Sequence, residues 1–401
     1  MPYTPPALPA GLREAEAQAA YLMEDGFLEV PPGSLAEKLK NKEHLRVKFG
    51  VDPTAAAVTW GWSVPLRRLR RFQELGHTAV LIIGDYTAQV GDPSGKSQTR
   101  RRLDGSEVER YIEACTAALL EILSPERLEV RRNSEWLGRM GMQETLELAS
   151  QVTVAQLLER DDFRKRHTAH EPISMIEFMY PLLQGYDSVA VEADVELGGT
   201  DQQFNFMLAR TLQQRAGQAP QACLCAPLLV GTDGKKKMSQ SYGNFIGVAE
   251  TPEEIFGKAM SIPDEAMEQY VRLALDLPGA DKENMLQNNG GVALKRALAK
   301  SMAAMFHGAD AAERAEEAFN QRHVRREAPT DMPEGTTTEQ YLPKILLELS
   351  WASSLSDARR AIEGRGVRLD GEVVEDAHHN VSAGTYTMQL GRRRFYRLTV
   401  M

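Results

Sequence analysis

Three stretches of the sequence carry side chains whose types and spacing suit chemistry. Lys235-Lys-Lys-Met-Ser-Gln-Ser241 sets three adjacent lysines after an Asp233-Gly234 turn. Lysine is a compact point charge on a flexible stem, so such a loop suits a polyphosphate whose charge moves during reaction. Tyr180, Gln184 and Asp187 fall at i, i+4 and i+7, which puts a phenol, an amide and a carboxylate on one helix face. Gly91-Asp-Pro-Ser-Gly-Lys-Ser97 has the look of a phosphate-binding loop, but its glycines stand one residue too close for G-x-x-x-x-G-K-[ST]. A turn remains, with an anchoring Asp92 and free backbone amides. Cys223-x-Cys225 has no His or further Cys nearby and reads as two residues on a buried strand, so no metal site is expected.

These groups need a scaffold. Residues 45–51 read as a strand, Asp52-Pro53-Thr54 as a turn, and residues 63–75 as a helix closed by Gly76. The apolar run 78–84 completes a βαβ unit, which implies a parallel sheet with a right-handed crossover. A doubly wound sheet of this kind binds ligands at the carboxyl ends of its strands, so chemistry belongs in the loops after Val51 and Gly84. From 106 to 186 the pattern is helical, with one strand near 128–131. Residues 188–195 alternate and are expected to return to the sheet; a helix over 202–216 and a strand over 222–231 follow. The fold class expected is thus α/β, a Rossmann-like catalytic domain over 1–249 with a helical insertion at about 106–186. An α-helical domain would follow at 250–325, a linker at 326–340, and a small α+β module at 341–401.

The net charge of −9 argues against a generic, whole-surface nucleic-acid binder but leaves room for local basic patches. Candidates are Arg67-Arg68 with Arg70-Arg71, Arg100 to Arg102, and Arg392 to Arg394, each of which could equally be a solvated face. No apolar run reaches membrane-spanning length. The proline-rich start, Met1 to Pro9, lacks a basic region followed by an apolar one, so a cytoplasmic location is expected.

Together the motifs resemble those of class I aminoacyl-tRNA synthetases of the tyrosine-specific kind. Lys237-Met-Ser-Gln-Ser241 resembles the family's Lys-Met-Ser-Lys-Ser signature, and Tyr180-Pro-Leu-Leu-Gln-Gly-Tyr-Asp187 its amino-acid-pocket helix. Gly198-Gly-Thr-Asp-Gln202 and Gly91-Asp-Pro-Ser-Gly-Lys96 match further segments in the right order, and the likeness is strong from about Val47 to Val248. The resemblance implies that Tyr180, Gln184 and Asp92 hold the substrate amine and Asp187 the phenol, with Gln202 and Thr87 in the same pocket. It puts Lys48 near the ring end, where many relatives carry a tyrosine. It implies that Asp201 holds the ATP ribose, that Gly50, Asp52, Gly199 and Met238 line the nucleotide cleft, and that Lys237, Lys235 and Ser239 serve the reacting phosphates. ATP with Mg2+, tRNA(Tyr) and a homodimer come with the same resemblance.

One departure bears on mechanism. Where the family has His-x-Gly-His, this chain has Thr59-Trp60-Gly61-Trp62. Each lost charge-assisted hydrogen bond is worth about 1.5–3 kcal/mol, and about 1.4 kcal/mol is tenfold in rate. Two losses would slow adenylate formation roughly 10²–10⁴-fold. Gln240 removes a further charge, which Lys235 and Lys236 could offset. Amides at the helix start still offer an anion site, Thr54 and Thr59 supply hydroxyls, Gly61 permits close approach, and Trp62 could stack on adenine or simply pack. The end of the chain resembles an S4-like RNA-binding module through Arg359, Arg360, Arg365, Arg392, Arg393 and Arg394. Two rivals share this fold: an impaired paralogue that binds tyrosine or RNA for regulation, and an amino-acid-activating enzyme whose product is not charged tRNA.

Overall fold

The computed structural model describes residues 3–53, 57–93, 105–321, 332–391 and 394–401. They form two compact units, Met1–Ala312 and Glu313–Met401. In the first, β1 (Leu28–Val30), β2 (Arg46–Val51), β3 (Thr78–Ile83), β4 (Leu128–Arg132), β5 (Val195–Gly199) and β6 (Ala222–Ala226) make one sheet ordered β1-β6-β5-β2-β3-β4. All neighbours run parallel except β1, which lies antiparallel on β6 at the edge. β3 reads Thr-Ala-Val-Leu-Ile-Ile and is buried at every position but the first, as a strand covered on both faces must be. The chain moves outward from β2 to β3 and β4, then returns to place β5 on the other side of β2. The strand order therefore reverses between β2 and β5, and a crevice opens at their carboxyl ends.

Several boundaries differ from expectation. The first crossover helix spans Trp60–Glu74 and so begins three residues early, with Thr59 in extended conformation as its N-cap. The alternation at 188–195 belongs instead to the last turn of a helix, Met175–Ala190, and the strand starts only at Val195. A capping box of Ser174 and Glu177 starts that helix. At Gly185 it meets the helix Gln203–Arg215 so closely that a side chain's Cβ would lie 3.2 Å from the Ala209 Cα. β6 stops at Ala226 rather than 231, because Pro227 has no N–H for the ladder. Cys223 and Cys225 are buried in β6, and burial pushes the Cys225 thiol up to about 12.

The Arg67 to Arg71 run is neither an RNA patch nor a solvated face. Arg67, Arg68 and Arg71 are buried, and burial is tolerated because their guanidiniums are satisfied. Arg68 donates to the carbonyls of Tyr21 at 2.8 Å and Glu24 at 2.9 Å. Arg67 donates to the Leu273 carbonyl, and Arg71 pairs with Asp276 at 2.8 Å. Helices Pro252–Met260, Met267–Ala274, Gly279–Asn288 and Gly291–His307 lie in the same compact unit as the sheet. Arg100 to Arg102 lie outside the described residues.

The second unit packs helices Leu342–Glu348 and Leu355–Glu363 on a five-stranded sheet. Its strands β7 (Glu334–Thr337), β8 (Val367–Leu369), β9 (Glu372–Val373), β10 (Gly384–Leu390) and β11 (Arg394–Val400) run in the order β7-β11-β10-β8-β9. Ile345, Leu346, Ile362, Met388 and Leu398 are among its buried core. β7 falls in the stretch expected to be a linker. It pairs in parallel with β11, and its Glu-Gly-Thr-Thr sequence has no apolar residue to announce a strand.

Candidate active site

The crevice at the β2/β5 switch point is a cleft of about 480 Å³. Gly50 and Asp52 enter it from β2, Gly84 and Thr87 from β3, Glu196 and Gly199 from β5, and Tyr180, Gln184 and Asp187 from one face of Met175–Ala190. Lys237, Met238, Ser239 and Gln240 close it from the loop beyond β6. Gly84 is obligatory, since a side chain there would run into the Asp52 carboxylate and the Thr87 hydroxyl.

One end of the cleft is an acidic corner. The Thr87 hydroxyl donates to Asp52 Oδ1 at 2.7 Å, and Tyr180 OH donates to Asp52 Oδ2 at 3.0 Å. Asp52, expected to line the nucleotide cleft, thus has its carboxylate turned to the Thr87 and Tyr180 hydroxyls. Burial pushes its carboxyl up to about 7, and Asp92 and Asp187 add to the rise. Asp92 accepts from Gln202 Nε2 at 3.0 Å and lies 3.6 Å from the Arg160 guanidinium. Asn205 Nδ2 bridges Gln184 Oε1 at 2.7 Å and Gln202 Oε1 at 3.0 Å, which fixes both amides. Deeper in, Asp187 accepts from Trp136 Nε1 at 2.8 Å and from Asn133 Nδ2 at 3.3 Å. Burial pushes Asp187 up to about 6, against the pull of the Lys48 ammonium. Lys48 itself is fully buried and does not line the cleft; it sits behind the wall, paired with Glu196 at 2.8 Å.

The other half holds the lysine loop against the Thr59-Trp60-Gly61-Trp62 segment. Lys237 Nζ pairs with Asp201 Oδ2 at 2.6 Å. Burial alone would lower the Lys237 pKa, but Asp201 outweighs it and the ammonium is held above its ordinary value. The Gly61 N–H donates to Met238 Sδ at 3.3 Å, and Gln240 Nε2 donates to the Ala57 carbonyl. Ser239 lines the cleft and caps the following turn with its hydroxyl. Thr59 lines the cleft too, and its buried hydroxyl has no hydrogen-bond partner among the described residues. Trp62 forms part of the wall. Trp60 instead turns inward, donates from Nε1 to the Ala274 carbonyl at 2.9 Å, and meets Phe306 edge-on at 5.1 Å.

Not every expected residue joins this assembly. Lys235 is exposed and does not line the cleft, because the Asp233-Gly234 turn directs the loop so that only Lys237 enters. Thr54, Arg392 and Arg393 lie outside the described residues. In the second unit, Arg359 Nε donates to Tyr341 OH at 3.1 Å, Arg365 pairs with Glu375 at 2.7 Å, Arg360 lies 3.6 Å from Asp357, and Arg394 is exposed. Sequence reasoning missed Asn133, Trp136, Arg160, Asn205 and Glu196. A signal existed for two of them: Asn133 and Trp136 follow β4, at the same strand end that singled out the loops after β2 and β3.

Comparison with known proteins agrees with this architecture. The profile of tRNA synthetases class I (W and Y) matches residues 40–324, and that of the S4 domain matches residues 342–385. A tyrosine–tRNA ligase of Mannheimia succiniciproducens is 46% identical over 371 residues, covering 91% of this chain and 94% of that protein. One of Moorella thermoacetica is 42% identical over 400 residues, covering 96% and 97%. Among solved structures, tyrosyl-tRNA synthetase of Archaeoglobus fulgidus complexed with L-tyrosine superposes with a TM-score of 0.61 at 22% identity, covering 75% of this chain and 99% of that one. At that identity the likeness concerns the fold.

Proposed function

The chain belongs to the class I tRNA synthetases of the tryptophan and tyrosine group, and from this premise we infer how its cleft carries out tyrosine activation and the charging of tRNA. The observation that carries the reading is the meeting of two corners in one crevice. An acidic pocket built on Tyr180, Gln184 and Asp187 adjoins the Lys237–Asp201 pair beneath the start of a helix.

In this reading the tyrosine ammonium sits among Asp52, Asp92, Tyr180 and Gln184, with Gln202, Thr87 and Asn205 orienting those groups. Asp187 accepts the phenol O–H, its own geometry fixed by Trp136 and Asn133. ATP enters beside Gly50, Gly199, Met238 and Trp62, its ribose displacing Lys237 from Asp201. A tyrosine carboxylate oxygen then attacks the α-phosphorus in line, pyrophosphate leaves, and a ribose hydroxyl of tRNA later displaces AMP from the adenylate. No protein nucleophile is required, so catalysis rests on positioning and charge stabilisation. The unpartnered Thr59 hydroxyl, Ser239 and the freed Lys237 are the donors available to the phosphates. The helix-start amides expected to serve there are already engaged, Trp60 N–H with the Ile246 carbonyl at 2.8 Å, Gly61 N–H with Met238 Sδ, and Trp62 and Ser63 N–H with the Thr59 carbonyl.

Magnesium would arrive with ATP. Among the described residues no cluster of three or more His, Cys, Asp or Glu side chains is arranged to hold a metal, so the phosphates would carry the ion. The S4 unit, through Arg359, Arg360, Arg365 and Arg394, supports contact with the tRNA backbone. A homodimer follows in this reading from membership of the family. No helix among the described residues is long and apolar enough to cross a membrane, and charging of tRNA favours a cytoplasmic location.

Tyrosine-dependent pyrophosphate exchange, followed by charging of tRNA(Tyr), tests the reading. Exchange and charging are expected at a reduced rate. Tyrosine binding without exchange would instead make the chain a regulatory paralogue, and exchange without charging would point to a non-tRNA product.

A further inference from the structure

We propose that Lys48 is the positioning residue that makes the pocket prefer a phenol to a bare aromatic ring, acting through Asp187 without touching the substrate; this rests on the tyrosine reading above. An ammonium has three protons, and Lys48 Nζ has three acceptors: Gln184 O at 3.0 Å, Ser188 Oγ at 2.8 Å and Glu196 Oε1 at 2.8 Å. None is left for a ligand. Glu196 is equally engaged, because its second oxygen accepts from Ser188 Oγ at 3.1 Å and from Gln221 Nε2. The pair is a finished buried unit and needs nothing from the cleft.

Its placement gives it a function. Two of the three acceptors, Gln184 and Ser188, belong to the turn of Met175–Ala190 that carries Asp187. The ammonium therefore pins that turn to β2 and brings a positive charge behind the carboxylate that receives the phenol. The other groups acting on Asp187 are the Trp136 and Asn133 donors from the segment after β4, Glu196 from β5, and Asp52 and Tyr180 on its cleft side. Of the charged members, Lys48 alone favours the ionised form; Glu196 and Asp52 oppose it. Burial holds Asp187 at about 6 with the lysine present, so loss of the lysine would carry its protonation toward neutral pH. A protonated carboxyl is a neutral acceptor, and a phenol hydrogen bond to it is weaker by about tenfold in binding than one to a carboxylate.

The ratio of tyrosine to phenylalanine affinity isolates this effect. Asp52 also titrates, at about 7; its effect on the amine end is common to both amino acids, and its repulsion of Asp187 is present in wild type and variants alike, so the displacement of the profile between them isolates Lys48. Equilibrium dialysis of the full chain with each amino acid, from about pH 5.5 to about pH 9, is the measurement. The wild type should favour tyrosine at neutral pH and lose that preference as pH falls through about 6. Lys48→Met should move the loss up to neutral pH, with the ratio at pH 7 down about tenfold and regained in alkali. Lys48→Met with Glu196→Gln removes the pair as a neutral unit and should show a smaller shift in the same direction, and it decides the matter if the single variant does not fold. Lys48→Arg, which keeps the charge, should restore the wild-type profile. An unmoved profile in the folded Met variants, or an equal loss of both ligands at every pH, would overturn the proposal by reducing Lys48 to packing. A wild type that binds no tyrosine at any pH would sink the tyrosine reading itself, and this inference with it.

Discussion

Asp52→Asn should stabilise the ligand-free protein, although it removes a functional group. The Asp52 carboxyl accepts hydrogen bonds from Thr87 and Tyr180, yet burial and the neighbouring Asp92 and Asp187 push it from 3.8 up to about 7. A carboxyl with a folded pKa above its unfolded one binds its proton more tightly in the folded state. Its contribution to stability is therefore fully present below about pH 4 and is lost as pH rises through about 7. A rise of that size corresponds to an upper bound of ~4 kcal/mol against folding above that range. The group faces an open cleft, and water there halves the figure to about 2 kcal/mol. Asparagine keeps the geometry, since its oxygen can accept from one hydroxyl while its amide donates to the other. Denaturant unfolding of the full chain should show the variant about 2 kcal/mol more stable near pH 8.5 and no more stable near pH 4. Tyrosine affinity should fall in the same variant, because the ammonium loses a carboxylate. A destabilised variant at pH 8.5, or a gain that does not change with pH, would refute the reasoning.

Two further outcomes are expected. Thr59→His combined with Trp62→His should raise tyrosine-dependent pyrophosphate exchange by roughly 10²–10⁴-fold, and an increase below tenfold would show that the present donors already suffice. Trp60→Phe keeps an aromatic ring but removes the Nε1 bond to the Ala274 carbonyl; it should cost about 1–2 kcal/mol of stability by denaturant titration, and no measurable loss would dismiss the anchor.

The sequence made the sheet legible because β2 and β3 lie in a short βαβ unit with apolar runs, and it made the crevice legible because parallel strands deliver loops to one edge. It misread places where a side chain's partner is distant in sequence. The Arg67 to Arg71 run resembles any basic patch until Tyr21, Leu273 and Asp276 are brought to it by folding. Lys48 looks like an odd polar residue in a strand until Glu196, 148 positions away, supplies its counter-charge. Asp52 sits in a motif associated with the nucleotide, yet its carboxyl is bound by the Tyr180 and Thr87 hydroxyls, whose positions in the sequence are 128 and 35 residues away. The edge strand β7 escaped because four polar residues carry no periodic signal, and only backbone pairing with β11 reveals it.

The Thr59-Trp60-Gly61-Trp62 segment has lost charge but not geometry. The Gly61 amide reaches the Met238 sulfur at 3.3 Å, and a Cβ at that position would meet Met238 at 3.6 Å, an ordinary contact. Trp60 ties the helix start to the Ala274 carbonyl and to Phe306, so the helix-start amides are held in place from behind. Gln240, where a lysine would add charge, instead grips the Ala57 carbonyl and draws the two loops together. The amides of residues 60 to 63 already have acceptors within the protein, so what this segment would offer developing charge in the proposed reaction is the orientation of the helix itself and the Thr59 hydroxyl. Among the described residues lining the cleft, Lys237 is the lysine present, and it is paired with Asp201, the carboxylate for which a ribose would compete in the proposed reading. In that reading nucleotide binding and release of the lysine are one exchange, so Asp201→Asn would free Lys237 while depriving the ribose of its partner. The two roles proposed for Asp201 would then oppose each other, and the balance between them would set how much of the family's histidine charge Lys237 replaces.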